Sequence, residues 1–227
     1  MAGIGLMNRR RAIQSAPVEN EDYWGYYIQD SLLLCVDGLK PGDTSKGWQE
    51  IVSGYYFYNR GATYQDNGWE FDGKSYMDAD NQITNYGFYL RERTLEVVVE
   101  FSAKDITSPV LIGRESGISF GISGSTYAIG NSGMALSRLA PTPSLKCSVA
   151  IAVNSTSIVR AIENNNNINI MPETGAWGSA SAIRLGATST LAYFLTGKIY
   201  AIRIHNRVLT AEEIYNNQQI DAIRFGL

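Results

Sequence analysis

The stretch from Gly197 to Leu227 changes its hydrophobic period once, and that change constrains how the chain must close. From Lys198 to His205 the residues alternate, with Ile199, Ala201 and Arg203 on one side and Tyr200, Ile202 and Ile204 on the other. A period of two in β-branched and aromatic residues predicts a strand. Asn206 and Arg207 interrupt it. Thr210 and Glu213 then have the spacing of a capping box, in which the Thr210 hydroxyl accepts from the Glu213 amide and the Glu213 carboxylate reaches back to the Thr210 amide. Leu209 and Ile214 stand where a hydrophobic staple forms. Glu212 and Glu213 complement the positive end of the helix dipole. The spacing predicts a helix running to about Ala222 and stopping before Gly226.

The rest of the chain reads as strands. Leu32–Asp37, Thr94–Phe101 and Leu145–Val153 are the longest, with shorter ones at Val110–Ile112, Ile118–Ile122, Tyr127–Ile129, Ser157–Ile162, Ala182–Leu185 and Leu191–Leu195. Asn164–Asn167 reads as a loop tip, because Asn tolerates left-handed backbone. A chain of 227 residues fits one large all-β domain as well as two smaller ones. With 22 glycines, 14 tyrosines and only 18% charged residues, it suits a sandwich of many short strands. No internal repeat and no second domain are legible. The net charge of −3 leaves no broad basic field for nucleic acid. No run approaches the apolar length of a membrane helix.

Several residues together resemble a known family. Gly197, Ile199, Ile202, Arg203, Ile204, Asn206, Arg207, Leu209, Thr210, Glu213 and Ile214 match the closing pattern of laminin-G-like domains, which are concanavalin A-like lectin/glucanase jelly rolls. Trp69–Met77 resembles the Phe-Asp-Gly hairpin of that family, and Leu32–Asp37 its opening strand. The likeness spans Leu32 to Ile214. It implies an all-β, concanavalin A-like two-sheet jelly-roll sandwich with a short C-terminal helix. An extended N-terminal arm over 1–24 would precede a jelly-roll domain over 25–227.

Glucanases of this family use a Glu-x-Asp-x-x-Glu strand, whose alternation puts the carboxylates on one face. Here Glu70-Phe71-Asp72 is followed by Gly73, Lys74 and Ser75, so the second glutamate, the proton donor, is missing. His205 is the only histidine and has no Ser or Cys nucleophile motif beside it. The expectation is a protein that is not an enzyme and has no catalytic residues. No cofactor is expected, although Asp78, Asp80 and Asn81 form a candidate oxygen-ligand set for calcium. Cys35 and Cys147 are expected as buried free thiols.

Two features point to partners. Lectin sites combine an aromatic platform with a few polar donors. Trp177 between Gly175 and Gly178, Tyr64, Trp48 and the run Tyr55–Tyr58 are candidates, weighed against packing roles. In that run, alternation would bury Tyr55 and Phe57 and leave Tyr56 and Tyr58 on the opposite face. The second feature is the arm. Ile4, Leu6, Met7 and Ile13 would pack into a partner's groove while Arg9, Arg10 and Arg11 pair with its acids or phosphates. The arm is too short in its apolar part, and its charges too late, for a secretory signal.

An Arg-rich start ahead of a lectin-like domain also resembles structural proteins of tailed phages. The expectation is a decorating or structural component of a phage virion, made in the host cytoplasm. It would be held to other virion proteins by the arm, be present in several copies or as a homo-oligomer, and display a domain for host-surface or mucosal glycans. The alternative is a carbohydrate-binding module of a gut bacterium. Neither reading involves nucleic acid or membrane.

Overall fold

Alternating apolar residues build two antiparallel sheets that share one core. The structure, a computed structural model, describes residues 23–83, 92–102, 108–112, 119–123, 126–131, 134–140, 145–154, 158–172, 183–188 and 190–227. A 3-10 turn at Tyr23–Tyr26 leads into β1 (Leu32–Asp37), β2 (Gly47–Gln49), β3 (Tyr56–Arg60), β4 (Thr63–Gln65), β5 (Gly68–Asp72) and β6 (Tyr76–Ala79). Next come β7 (Arg93–Phe101), β8 (Ser108–Ile112), β9 (Ser119–Ser123), β10 (Thr126–Asn131), β11 (Met134–Ala140) and β12 (Lys146–Val153). The chain closes through β13 (Ile158–Glu163), β14 (Asn166–Asn167), β15 (Asn169–Pro172), β16 (Arg184–Leu185), β17 (Thr196–His205) and helix α1 (Ala211–Phe225).

The first sheet runs β14-β13-β12-β7-β17-β5-β4, and β1 also pairs with β17. The second runs β15-β11-β10-β9-β8-β16-β6-β3-β2. Leu95, Val97, Val149, Ile151, Ile202 and Ile204 from the first sheet meet Trp48, Phe57, Met77, Leu111 and Phe120 from the second in a single cluster. Each such enclosed side chain contributes roughly 1.5–3 kcal/mol against its exposed state. The all-β two-sheet sandwich with a short C-terminal helix is thus present, while the arm residues 1–22 lie outside the described ones.

Two local departures from simple alternation matter. The pairing of β17 with β7 slips between Ile199 and Ala201. A bulge of this kind reverses the facing of everything beyond it. Ile199 therefore shares the core with Ile202 and Ile204, while Tyr200 and Ala201 both turn outward to Val98 and Phe225. The expected division of β17 into two alternating sets holds only on one side of Tyr200. The Asp72–Ser75 segment also differs from the hairpin expected there. It carries the chain from β5 in the first sheet to β6 in the second. The Asp72 carboxylate caps this crossing by accepting the amides of Lys74 at 3.0 Å and Ser75 at 2.9 Å. Those bonds hold its carboxyl below the usual range.

Helix α1 covers the outer face of the first sheet. The capping box is formed, with Glu213 N–H donating to Thr210 Oγ1 at 3.2 Å and Thr210 N–H to Glu213 Oε2 at 2.9 Å. Leu209 and Ile214 then pack on Ala150 and Ile162. The helix runs past its expected end because Arg224 reaches Asp37 at 2.7 Å and Phe225 packs on Tyr200. It stops at Gly226, whose left-handed backbone donates back to Ala222. Beneath the helix lies a polar layer. Arg203 pairs with Glu96 at 3.1 Å and Asp221 at 2.6 Å, Asn217 donates to Glu96, and Tyr27 and Ser148 donate to Asp221. Burial works against the Glu96 charge, but Arg203, His205 and Asn217 outweigh it and hold that carboxyl below its ordinary value. The layer fixes how helix, first sheet and 3-10 turn sit together. Among the described residues no helix is long and apolar enough to cross a membrane.

Candidate ligand-binding face

The opposite outer face, that of the second sheet, carries an exposed aromatic and charged array among the described residues. It follows from register. In the pairing of β3 with β6, Tyr58 stands opposite Asp78 and Arg60 opposite Tyr76, and β16 adds Arg184 opposite Asp78. Their neighbours Phe57, Met77 and Leu185 point into the core. Side chains alternate along a strand, so Tyr56, Tyr58, Arg60, Tyr76, Asp78 and Arg184 share the outer face.

The array has an aromatic part and an ionic part. Tyr56 and Tyr58 lie with ring centroids 6.4 Å apart and planes only 20° from parallel. Tyr58 is 40% exposed. Its hydroxyl donates to Asp80 at 2.8 Å, which raises its pKa, since a phenolate beside that carboxylate is disfavoured. Lys46 lies 5.7 Å from the Tyr56 ring. In the ionic part, Asp78 sits between two arginines, with Arg184 Nε 2.8 Å from Oδ1 and Arg60 Nε 3.5 Å from Oδ2. The Arg184 guanidinium lies 5.5 Å from the Tyr76 ring, and Tyr76 packs on Phe194 at 6.3 Å. Exposed ion pairs contribute only ~0–1 kcal/mol each. Their effect here is orientation: they hold planar donors and acceptors beside flat rings.

The sequence-predicted residues fall in several places. Trp48 is not a surface platform. Its register opposite Phe57 turns it inward, where it is fully enclosed and its indole N–H donates to the Asp37 carbonyl at 3.2 Å. Tyr64 is half-buried on an edge strand, packed on Trp69 at 5.5 Å, with its hydroxyl donating to the Gly38 carbonyl at 2.6 Å. Its ring is a flank of the core. Of the aromatic run, Phe57 is buried while Tyr56 and Tyr58 turn outward as alternation requires, and Tyr55 precedes the strand and is exposed. Trp177 and the arm residues Ile4, Leu6, Met7, Arg9, Arg10, Arg11 and Ile13 lie outside the described residues.

Two of the three candidate calcium ligands, Asp78 and Asp80, are otherwise engaged. Asp78 is bridged by two guanidiniums, and Asp80 accepts from Tyr58 and from the Gln82 amide. Two arginines beside the carboxylate repel a divalent cation. Among the described residues no cluster of three or more His, Cys, Asp or Glu side chains is arranged to hold a metal. Cys35 and Cys147 are buried free thiols, with Cys147 Sγ 3.0 Å from the Tyr127 hydroxyl. His205 is enclosed 3.2 Å from Glu96, beneath the helix. Glu70 is exposed and bonded to Gln65.

Arg60, Tyr76 and Arg184 were not singled out from the sequence. Tyr56, Tyr58 and Arg60 do share one parity, as do Tyr76 and Asp78, and that local signal was available. Arg184 was not legible, because its partner Asp78 is 106 positions away.

These features define an antiparallel two-sheet β-sandwich with a helix closing one face and an aromatic, ion-paired surface on the other. Several known structures are similar to it in fold. The Trypanosoma rangeli sialidase matches at TM-score 0.60 and 17% identity, over 86% of this chain and 34% of the sialidase. The binding domain of botulinum neurotoxin serotype D/C matches at TM-score 0.57 and 12% identity, over 84% of this chain and 52% of that one. The same toxin's binding domain in complex with rat synaptotagmin II matches at TM-score 0.56 and 12% identity, over 84% and 52%. The chain spans about a third of the sialidase and about half of the toxin domain. At these identities the likeness is one of fold. No protein-family model and no curated protein sequence matches the chain.

Proposed function

We propose that this chain is a carbohydrate-binding sandwich module that holds its ligand on the outer face of the second sheet and does not turn it over. The near-parallel pair Tyr56 and Tyr58, beside the Asp78–arginine bridge, carries this reading. Flat rings accept the C–H face of a pyranose, and fixed carboxylate and guanidinium groups exchange hydrogen bonds with its hydroxyls. The similar structures support it by fold, since they include a sialidase solved with sialic acid and a toxin binding domain. The absence of turnover rests on the acids of β5: Asp72 is committed to a crossing turn, and no second glutamate follows it.

Virion attachment through residues 1–24 is part of the proposal and rests on the sequence of that arm, with its Arg9–Arg11 run and flanking apolar residues. A glycan array probed with the full chain tests the binding reading. Signal on a defined set of glycans, weakened about tenfold or more in Tyr58→Ala, is expected. Absence of signal on every glycan, or binding to a protein receptor alone, would contradict it.

A further inference from the structure

We infer that the ligand of this face is a saccharide chain of several sugars laid across the second sheet, not a single terminal sugar, an inference that rests on the carbohydrate reading above. Tyr56 and Tyr58 stand 6.4 Å apart, centroid to centroid, and Tyr76 and Phe194 stand 6.3 Å apart. Tyr58 pairs in register with Asp78, and Arg60 pairs with Tyr76. Tyr76 is thus the diagonal neighbour of Tyr58, at roughly 7–8 Å between Cα atoms. Four rings follow one another from β3 across β6 to the segment after β16, in steps of similar length.

A pyranose is a six-membered ring, so its C–H face covers about one aromatic ring. A single sugar leaves most of this line bare, while a chain sets successive pyranoses on successive rings. The four residues from Tyr56 to Arg60 cover roughly 13 Å along the strand, and the two spacings from β3 to β16 cover roughly 10 Å across it. The polar groups are interleaved with the rings along this length. Asp78 accepts from Arg184 Nε at 2.8 Å and from Arg60 Nε at 3.5 Å, and a carboxylate with about four lone-pair sites keeps capacity for sugar hydroxyls. Arg60, with 53% of its side chain exposed, has N–H groups beyond the one aimed at Asp78, and these can meet sugar oxygens or an acidic substituent.

The far end of the line is a built structure. Ala187 and Phe194 form an antiparallel bridge, and the Thr188 hydroxyl accepts the amides of Ala192 at 3.1 Å and Tyr193 at 3.2 Å. Arg184 Nη1 donates to the Thr188 carbonyl at 3.4 Å, which ties this turn to the Asp78 bridge. Tyr193 is held beside Phe194 and is 55% exposed. Among the described residues the exposed aromatic side chains are Tyr55, Tyr58 and Tyr193, two toward the β3 end of the line and one beside its other end.

The test is binding of the full chain to an array that prints each glycan as a length series from one sugar to six. Affinity should rise about tenfold or more from the single sugar to the longer members and then level off. Tyr193→Ala and Tyr76→Ala should each weaken the longer members about threefold to tenfold and leave the shortest ones unchanged, whereas Tyr58→Ala should weaken every length. Tyr193 is an exposed side chain, so its variant keeps the test open if Tyr76→Ala fails to fold. Loss confined to the longer members in either variant supports the chain. Single sugars bound as tightly as their longer relatives, long-chain binding unchanged in both variants, or equal loss at every length overturns the inference and leaves the carbohydrate reading standing. No signal on any glycan overturns that reading as well.

Discussion

Arg203 Nη2 meets Asp221 Oδ2 at 2.6 Å, with both side chains enclosed between the closing strand and the helix that follows it. The same guanidinium pairs with Glu96 on the neighbouring strand at 3.1 Å, and its Cζ lies 4.3 Å from the centre of the Tyr27 ring. One side chain thus joins β7, β17, α1 and the segment that enters the fold. Pairing two charges in a dry interior is close to neutral in net stability, but removing one partner leaves the other buried and uncompensated. Arg203→Met should lower the unfolding free energy by about 3–5 kcal/mol in denaturant titrations. A loss under about 1 kcal/mol would show that the layer is wetter than its geometry implies.

Acid should weaken the helix cap. The bond from Arg207, opposed by partial burial and aided by the Thr210 amide, holds Glu213 down to about 2 from its ordinary 4.5. A carboxyl with a lower pKa folded than unfolded stabilises the fold fully above its unfolded value, and that contribution disappears as pH falls toward the folded value. Stability from Glu213 should therefore be complete above about pH 4.5 and fade as pH falls toward about 2. Glu96 shifts in the same direction. Melting temperatures measured across that window should fall with pH, and Glu213→Gln should flatten the slope. An unchanged slope in the variant would remove Glu213 from the explanation.

The cap also has a pH-independent part. Thr210→Ala removes the acceptor for the Glu213 amide and should cost about 1 kcal/mol at neutral pH. Thermal unfolding indistinguishable from that of the native chain would argue that tertiary packing of Leu209 and Ile214 alone holds the helix start.

Gly197, the second residue of the closing strand, has φ 154°, and a Cβ there would meet the Glu100 carbonyl oxygen at 2.1 Å. Backbone cannot move aside as a flexible side chain can. Gly197→Ala should destabilise by more than ~1 kcal/mol, whereas Gly25→Ala, with nothing within 4 Å, should be near neutral. Equal melting temperatures for the two variants would contradict the close approach of β17 to β7.

Deleting residues 1–18 should leave the sandwich folded, with an unchanged melting temperature, and abolish its incorporation into particles. Incorporation at the native level would sink the attachment role of Arg9–Arg11 and their apolar neighbours.

What was legible from the sequence was local. The capping box, the staple and the alternation of Tyr56, Phe57 and Tyr58 depend on residues within a few positions of one another. What was not legible depends on partners. The bulge at Tyr200 is a slip in the pairing of β17 with β7, 100 positions away in sequence for Tyr200 and Glu100, and it puts Ile199 in the core with Ile202. The turn after Asp72 reads as a hairpin locally, but sheet membership makes it a crossing. Trp48 is indistinguishable from a surface tryptophan until its register with Phe57 is known. The outward parity of Tyr56 and Tyr58 could be read, but their meeting with Tyr76 and Arg184 needed the order of strands in the second sheet.

The location of the binding face is open to direct measurement by chemical-shift mapping of the isotopically labelled full chain. The titrant would be the oligosaccharide giving the strongest array signal. Saturable shifts should concentrate at Tyr56, Tyr58, Arg60, Tyr76 and Asp78 and be absent from α1. Shifts confined to the helix face, or to residues around Trp177 with β3 and β6 unmoved, would contradict the assignment.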